Sequence, residues 1–128
     1  MSNIPDDLRY SEDHEWVAFD SESGLATIGI TDYAQGELGD VVFLEFPQIG
    51  ATVAKGDSAG TIEAVKTVAD LFAPFGGEIT EVNVALDDRP EIVNTDPYGE
   101  GWMIRMKVDD PSVVDGLLDA DGYQQHIG

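Results

Sequence analysis

The chain has 128 residues, with 26 acidic against 6 basic side chains and a formal net charge of −20, which makes nucleic acid and anionic membranes poor partners. It has no cysteine, so disulfides, thiol catalysis and cysteine metal sites are excluded, and no apolar run approaches membrane-spanning length. Hydrophobic residues make up 42% in well-formed runs, so the charge reads not as disorder but as a surface adapted to high salt, a halophile-type surface, the alternative being simply an acidic soluble protein.

Residues 1–13 are polar and read as irregular, with Tyr10 docking on the core. Met1 to Tyr10 lacks both the apolar core of a signal peptide and the arginine-rich pattern of a transit peptide, so a cytoplasmic location is expected. His14 to Phe19 and Leu25 to Ile30 flank the turn-rich Asp20–Gly24 and predict a first hairpin. In its second arm Ala26, Ile28 and Ile30 alternate with Thr27 and Gly29, the period of a half-buried strand. Thr31 or Asp32 can cap a short helix through Leu38, which Gly39 ends. Asp40 to Phe46 predicts a strongly apolar strand and Thr52-Val53 a short one.

Gly60 to Gly77 is the stretch around which the rest is organised. Thr61 to Val65 and Thr67 to Phe72 are β-branched and apolar, and Pro74-Phe-Gly-Gly77 closes the unit with turn residues, so the simplest reading is a hairpin with Lys66 near its tip. The tip lacks the Asn-Gly or Asp-Gly of ordinary two-residue hairpins, so something other than turn propensity selects Val65-Lys66. From position alone Lys66 reads first as a solvated turn lysine; the sequence contains only two others, Lys55 and Lys107.

Downstream, Glu78 to Val84 predicts a strand whose apolar positions, Ile79, Val82 and Val84, break strict alternation and suggest a bulge or an unfixed register. Ala85 to Asn94 suggests a short helical turn ended by Pro90 and its sequel, and Thr95 to Gly101 a loop. Trp102 to Val108 reads as the clearest strand, with Trp102, Ile104, Met106 and Val108 on one face and Met103, Arg105 and Lys107 on the other. Asp110 as N-cap and Pro111 at the first helical position predict a helix with an apolar stripe of Val113, Val114, Leu117 and Leu118, and Ala120 to Ile127 a last turn. The whole is expected to be one domain over 1–128, with a β core over about 14–109 and C-terminal helices over about 110–127. Short strands between turns, with helices at the edges, argue a mainly β fold, a flattened barrel or a sandwich.

No independent chemistry stands out. His14 and His126 are far apart in sequence, no metal-ligand spacing recurs, and the serines lack a nucleophile-elbow setting. Trp16 and Trp102 read as core or interface residues, Gly29 and Gly39 as backbone requirements, and His14 as a hydrogen-bonded structural histidine.

The order of motifs is more specific. Glu63-Ala-Val-Lys66-Thr67, followed by Asp70, Pro74, Gly77 and Asn83, resembles the lipoyl-lysine segment of the glycine cleavage system H-protein family, with Ala64 and Thr67 at its serine and alanine positions. Tyr10 to Val17 resembles that family's His-Glu-Trp segment, Gly29 to Gln35 with Leu38 to Phe43 its most recognisable block, and Asn94 to Trp102 its Pro-Tyr, Gly-Trp segment. The resemblance runs in order over about residues 8 to 125. A biotinyl domain would place methionines beside the lysine and a 2-oxoacid dehydrogenase lipoyl domain an Asp-Lys-Ala tip; neither is present.

The resemblance implies two antiparallel sheets of the lipoyl/biotinyl-type hybrid motif with the hairpin exposed at one end, and a carrier without catalytic residues of its own. It implies lipoate in amide linkage to Lys66, loaded with an aminomethyl group by a glycine decarboxylase (P protein). It further implies unloading by a tetrahydrofolate-dependent aminomethyltransferase (T protein), reoxidation by dihydrolipoyl dehydrogenase (L protein), and attachment by a lipoate ligase or lipoyl transferase. It places a cleft for the loaded arm between the His-Glu-Trp segment and the strand after the lysine, which points to Glu15 and Asp70, with Asp13 nearby; the alternative is that these are ordinary surface acids.

Overall fold

The computed structural model describes residues 3–127. Its strands form two antiparallel sheets. The larger has six strands in the order β1 (Arg9–Tyr10), β2 (Glu15–Asp20), β3 (Leu25–Ile30), β9 (Ile104–Val108), β8 (Gly77–Val82), β5 (Thr52–Val53). The smaller has three, in the order β4 (Val41–Glu45), β6 (Ser58–Ala64), β7 (Val68–Phe72). Each order begins and ends on an open edge, so this is a flattened sandwich and not a closed barrel. Between the sheets Ile28, Ile62, Leu71, Phe75, Ile79, Ile104 and Met106 are completely or almost completely buried, the contiguous apolar volume that holds the two layers together.

The expected first hairpin pairs from Glu15↔Ile30 to Asp20↔Leu25, and Gly24 turns it at φ +75°. Its glycine at 29 has a packing reason: a Cβ there would lie 2.7 Å from the indole nitrogen of Trp16, so the ring can lie on the strand only over a hydrogen. Helix α1 (Asp32–Leu38) is capped by Thr31, whose hydroxyl accepts from the Ala34 amide, and ends at Gly39. The bulge expected from the Ile79/Val82 spacing is present between Ile79 and Glu81. Pro90 separates two single turns, α2 (Ala85–Asp88) and α3 (Ile92–Thr95).

Three expectations change. Val84 lies beyond β8 and is 70% exposed, because the chain leaves the sheet at Asn83 to start α2. Met103 is fully buried although the alternation assigns it to the outer face: the strand starts at Ile104, and Met103 is held in the preceding bend by donating to Ile28 and accepting from Asn83. The helix after Pro111 is one turn, α4 (Ser112–Asp115), in which Val114 is buried and Val113 is exposed. Asp110 does act at its start, accepting from both the amide and the hydroxyl of Ser112. Leu118 does not continue the stripe; it exchanges two backbone hydrogen bonds with Tyr10, at 2.8 and 2.9 Å, at the edge of the larger sheet. Those bonds satisfy the Tyr10 amide at the sheet edge and the Leu118 amide, which a further helical turn across Gly116 would hold poorly. Tyr10 is fully buried, stacked on Tyr123 of α5 (Ala120–Ile127), which docks the C-terminal helix onto the sheet.

Candidate functional site

The β6–β7 hairpin closes over two residues. Glu63 pairs with Val68, and the Ala64 amide donates to the Thr67 carbonyl at 2.8 Å, leaving Val65 and Lys66 as the loop. Neither adopts positive φ; among the described non-glycine residues only His14 does. The primed turns that call for Asn-Gly are therefore not used, which is why the tip lacks them. The loop is tied from the side instead: the Val65 amide donates to the Asp40 carbonyl at 3.0 Å. Val65 is 71% and Val68 60% exposed, so the lysine is carried on an exposed tip.

The stem of Lys66 lies against the α1–β4 junction. Gly39 has φ +79° and ψ −158°, backbone geometry reserved for glycine, and a Cβ there would sit 2.9 Å from Cε of Lys66. Asn94 fixes this junction with all its polar groups. Its Oδ1 accepts from the Val41 amide at 2.9 Å, and its Nδ2 donates to the Gly39 carbonyl at 2.8 Å and to Gln35 Oε1 at 3.0 Å. The other lysines are placed differently: the Lys107 amine donates to the Ser23 carbonyl along the larger sheet, and Lys55 sits in the turn between Ala54 and Asp57.

Beside the tip is a cleft of about 330 Å³. One wall is the turn into β2, with Asp13, His14 and Glu15; the second is α1, with Tyr33, Ala34, Glu37 and Leu38; the floor is Ile30, Ile62 and Ala69, with Asp70 at the edge. Leu38 lines the cleft, and Gly39, which follows it, is the residue the lysine stem lies against. The structure thus brings Glu15, Asp70 and Asp13 to one concavity.

The carboxylates differ in setting. Glu15 is buried, 1% exposed, and burial pushes its carboxyl up to about 7; the Ser11 hydroxyl, which donates to Oε1 at 2.5 Å, opposes that rise and the negative charge of Asp13 adds to it. Asp13 and Asp70 are exposed, Asp70 with Ser58 Oγ 3.4 Å from its Oδ1. His14 takes φ +71° to carry the chain into β2, and its Nδ1 is 2.9 Å from the Tyr123 hydroxyl, which is 2.7 Å from Thr31 Oγ1. Burial, then His126, lowers the proton affinity of the His14 ring.

The sequence reading missed Asn94 and Ser11 as contributors and assigned Gly39 only a backbone role. A hydrogen-bonding asparagine and a turn serine have no spacing signal of their own. Among the described residues no group of three His, Cys, Asp or Glu side chains could hold a metal ion, and no helix is long and apolar enough to cross a membrane.

A two-sheet sandwich that presents one lysine on an exposed hairpin defines a carrier domain of the lipoyl type. The sequence model of the family described as Glycine cleavage H-protein matches residues 8–128. Similar relatives named "Glycine cleavage system H protein" include one from Pseudoalteromonas atlantica, 54% identical over 99% of this chain and 98% of its own length, and one from Chlorobium phaeobacteroides, 56% identical over 98% of each. The crystal structure of a glycine cleavage system H protein from Mycobacterium marinum superposes with a TM-score of 0.88 at 42% identity, covering 98% of this chain and 99% of that one. The chain belongs to the glycine cleavage H-protein family: it is a lipoyl carrier in glycine cleavage, interacting with the other components of that system, and not itself an enzyme.

Proposed function

We propose that Lys66 carries the lipoyl group and that the adjoining cleft shelters the loaded end of the arm, with Glu15 and Asp70 as its carboxylates and Asp13 at its mouth. The observation that carries the reading is the continuity from Lys66 over Gly39 to Leu38 and into the cleft. The residues fit such a group: Gly39 leaves room for the stem, Ile30, Ile62 and Ala69 would offer apolar contact, and the carboxylates of the same cleft would accept from an amine. When attached, lipoate supplies a dithiolane that accepts the aminomethyl group.

The chain's residues supply the rest. An amine that is cationic near neutral pH gains charge-assisted hydrogen bonds from Glu15 and Asp70, and the apolar floor limits water at a carbon prone to hydrolysis to formaldehyde and ammonia. Bringing a cation beside Glu15 favours its ionised form, so docking of the amine releases the proton that burial retains there. Undocked, the arm serves the decarboxylase, the aminomethyltransferase and dihydrolipoyl dehydrogenase in turn, tethering raising the local concentration of what is handed over. A lipoate ligase or lipoyl transferase forms the amide. The whole chain acts as one domain, in the cytoplasm.

Peptide mapping of lipoylated protein tests the attachment: lipoate is expected on Lys66 alone and is lost in Lys66→Arg, whose guanidinium is a poor acylation target. Lipoate on Lys55 or Lys107 rejects the assignment. The cleft is tested by formaldehyde release from the aminomethylated protein without the transferase. Glu15→Gln and Asp70→Asn are each expected to speed release roughly tenfold, the scale of one hydrogen bond to a charged group. Glu22→Gln, in the exposed β2–β3 loop, is expected to leave it unchanged. Equal rates in all three remove both carboxylates from the site.

A further inference from the structure

Glu15 is held by a neighbour that is not part of the cleft's inner surface. Between Tyr10 and Glu15 the chain makes a tight turn in which the Ser11 amide donates to the Glu15 carbonyl at 2.9 Å and the His14 amide to the Ser11 carbonyl at 3.2 Å. The positive φ of His14 closes the turn and returns Glu15 to Ser11. The Ser11 hydroxyl then meets Glu15 twice, donating to Oε1 at 2.5 Å and accepting from the Glu15 amide at 3.1 Å. Ser11 is itself only 7% exposed, so water does not compete freely for either bond.

We propose that Ser11 is a positioning residue for the loaded arm: by bridging the Glu15 carboxylate to the Glu15 backbone amide, its hydroxyl fixes that carboxylate in the cleft wall. This rests on the reading of Glu15 as a group that receives the arm's amine. A hydroxyl has one proton. Because that proton goes to Oε1 while the amide occupies a lone pair, the oxygen cannot reorient without losing both bonds. A free glutamate has three rotors and would have to lose them each time an amine docks; here the loss is made on folding. The charged and titratable groups that face Glu15 are Asp13 and His14 from its own turn, Tyr33 and Glu37 from α1, Asp70 from β7 and Tyr123 from α5. Among the neighbours that act on its carboxyl, Asp13 and burial favour the protonated form, and Ser11 and the Phe72 backbone oppose them.

The test uses the full chain with serine 11 replaced. Ser11→Ala removes the hydroxyl; Ser11→Thr keeps it, and Ser11 also borders a second cleft of about 230 Å³ that can take the added methyl. In the unlipoylated protein, carboxyl ¹³C titration of Glu15 is expected to move upward by about one pH unit in Ser11→Ala, the loss of one charge-assisted bond, and to return in Ser11→Thr. In the aminomethylated protein at neutral pH, formaldehyde release is expected to quicken roughly tenfold in Ser11→Ala and to recover in Ser11→Thr. An unchanged Glu15 titration in Ser11→Ala overturns the inference. So does faster release that Ser11→Thr fails to restore while its Glu15 titration is normal. If Glu15→Gln does not affect release, the cleft reading fails and the inference with it, even where the titration shifts. If Glu15→Gln speeds release and Ser11→Ala does not, the cleft stands and only the role of Ser11 is rejected.

Discussion

Glu15 is the most costly residue of the site to keep. A carboxyl buried with an upward-shifted proton affinity, about 7 against 4.5, holds a proton in the folded state that the unfolded chain has already released between those values. The stability it contributes is therefore complete below pH 4.5 and is lost as pH rises through about 7. Glu15→Gln is neutral at every pH and does not suffer that loss. At pH 8 the variant is expected to be the more stable protein by on the order of 3 kcal/mol, less whatever the altered bond to Ser11 costs; at pH 4.5 the two should be nearly equal. Urea unfolding at the two pH values measures this, and a difference that does not grow with pH would show that Glu15 is ionised at no cost. A residue whose removal stabilises the fold and exposes the loaded arm is the pattern of a site kept for function. Tyr123 carries no such cost below pH 10, its phenol pushed up to about 12 chiefly by burial and so staying neutral, while its hydroxyl ties His14 to Thr31 and so joins the cleft wall to the cap of α1.

At the scale of elements, the hairpin tip is positioned by a junction remote in sequence. Val65 donates to Asp40, and Asn94 of α3 satisfies Val41, Gly39 and Gln35 around it. Asn94→Ala leaves the Val41 amide and the Gly39 carbonyl without their partner, at a cost of about 2–3 kcal/mol. Its local signature is amide hydrogen exchange: Val41 and Val65 are expected to exchange faster in the variant, while Ile28 and Ile104 in the larger sheet change only with global stability. Exchange at Val65 equal to that at Ile28 in its response would mean that the tip does not depend on the junction. This element also shows why the sequence was partly readable. The strands, the capped α1 and the bulge at Thr80 follow from spacing, because period 2, period 3.6 and their interruption are local properties. The attachment proposed at Lys66 rests on the residues beside it in sequence. Asn94 and Ser11 were not legible, because a side chain that hydrogen-bonds backbone 53 positions away, or bridges a carboxylate to its own amide, leaves no periodic trace. Met103 and Leu118 were misassigned for the same reason: the end of a strand or helix is set by the partner that takes over its amides, and that partner lies elsewhere in the chain.

The whole molecule carries its charge almost without compensation. Among the described residues one ion pair is formed, Arg105 to Glu81 at 2.8 Å, and both members are substantially exposed, so it contributes little. The same Arg105 lies 4.1 Å over the Trp102 ring, so its one charge is shared between Glu81 and that ring. With a formal charge of −20 the carboxylates repel one another, and compaction brings them closer. Screening relieves this as the Debye length falls from about 10 Å at 0.1 M to about 3 Å at 1 M salt. The melting temperature is therefore expected to rise from dilute buffer to molar salt, and to rise alike in sodium chloride and potassium chloride, since screening depends on ionic strength and not on the cation. Sulfate is expected to add a further increase through exclusion from the surface, a separate effect. Association with any partner whose docking surface is basic has the opposite dependence: steering toward this acidic carrier weakens as salt rises, so transfer to such a partner should slow over the range in which the carrier itself becomes more stable. Measuring both in one salt series separates them. A melting temperature flat between dilute buffer and molar chloride would mean that the carboxylates are spaced widely enough for water alone to screen them, and the acidic surface would then have no role in stability.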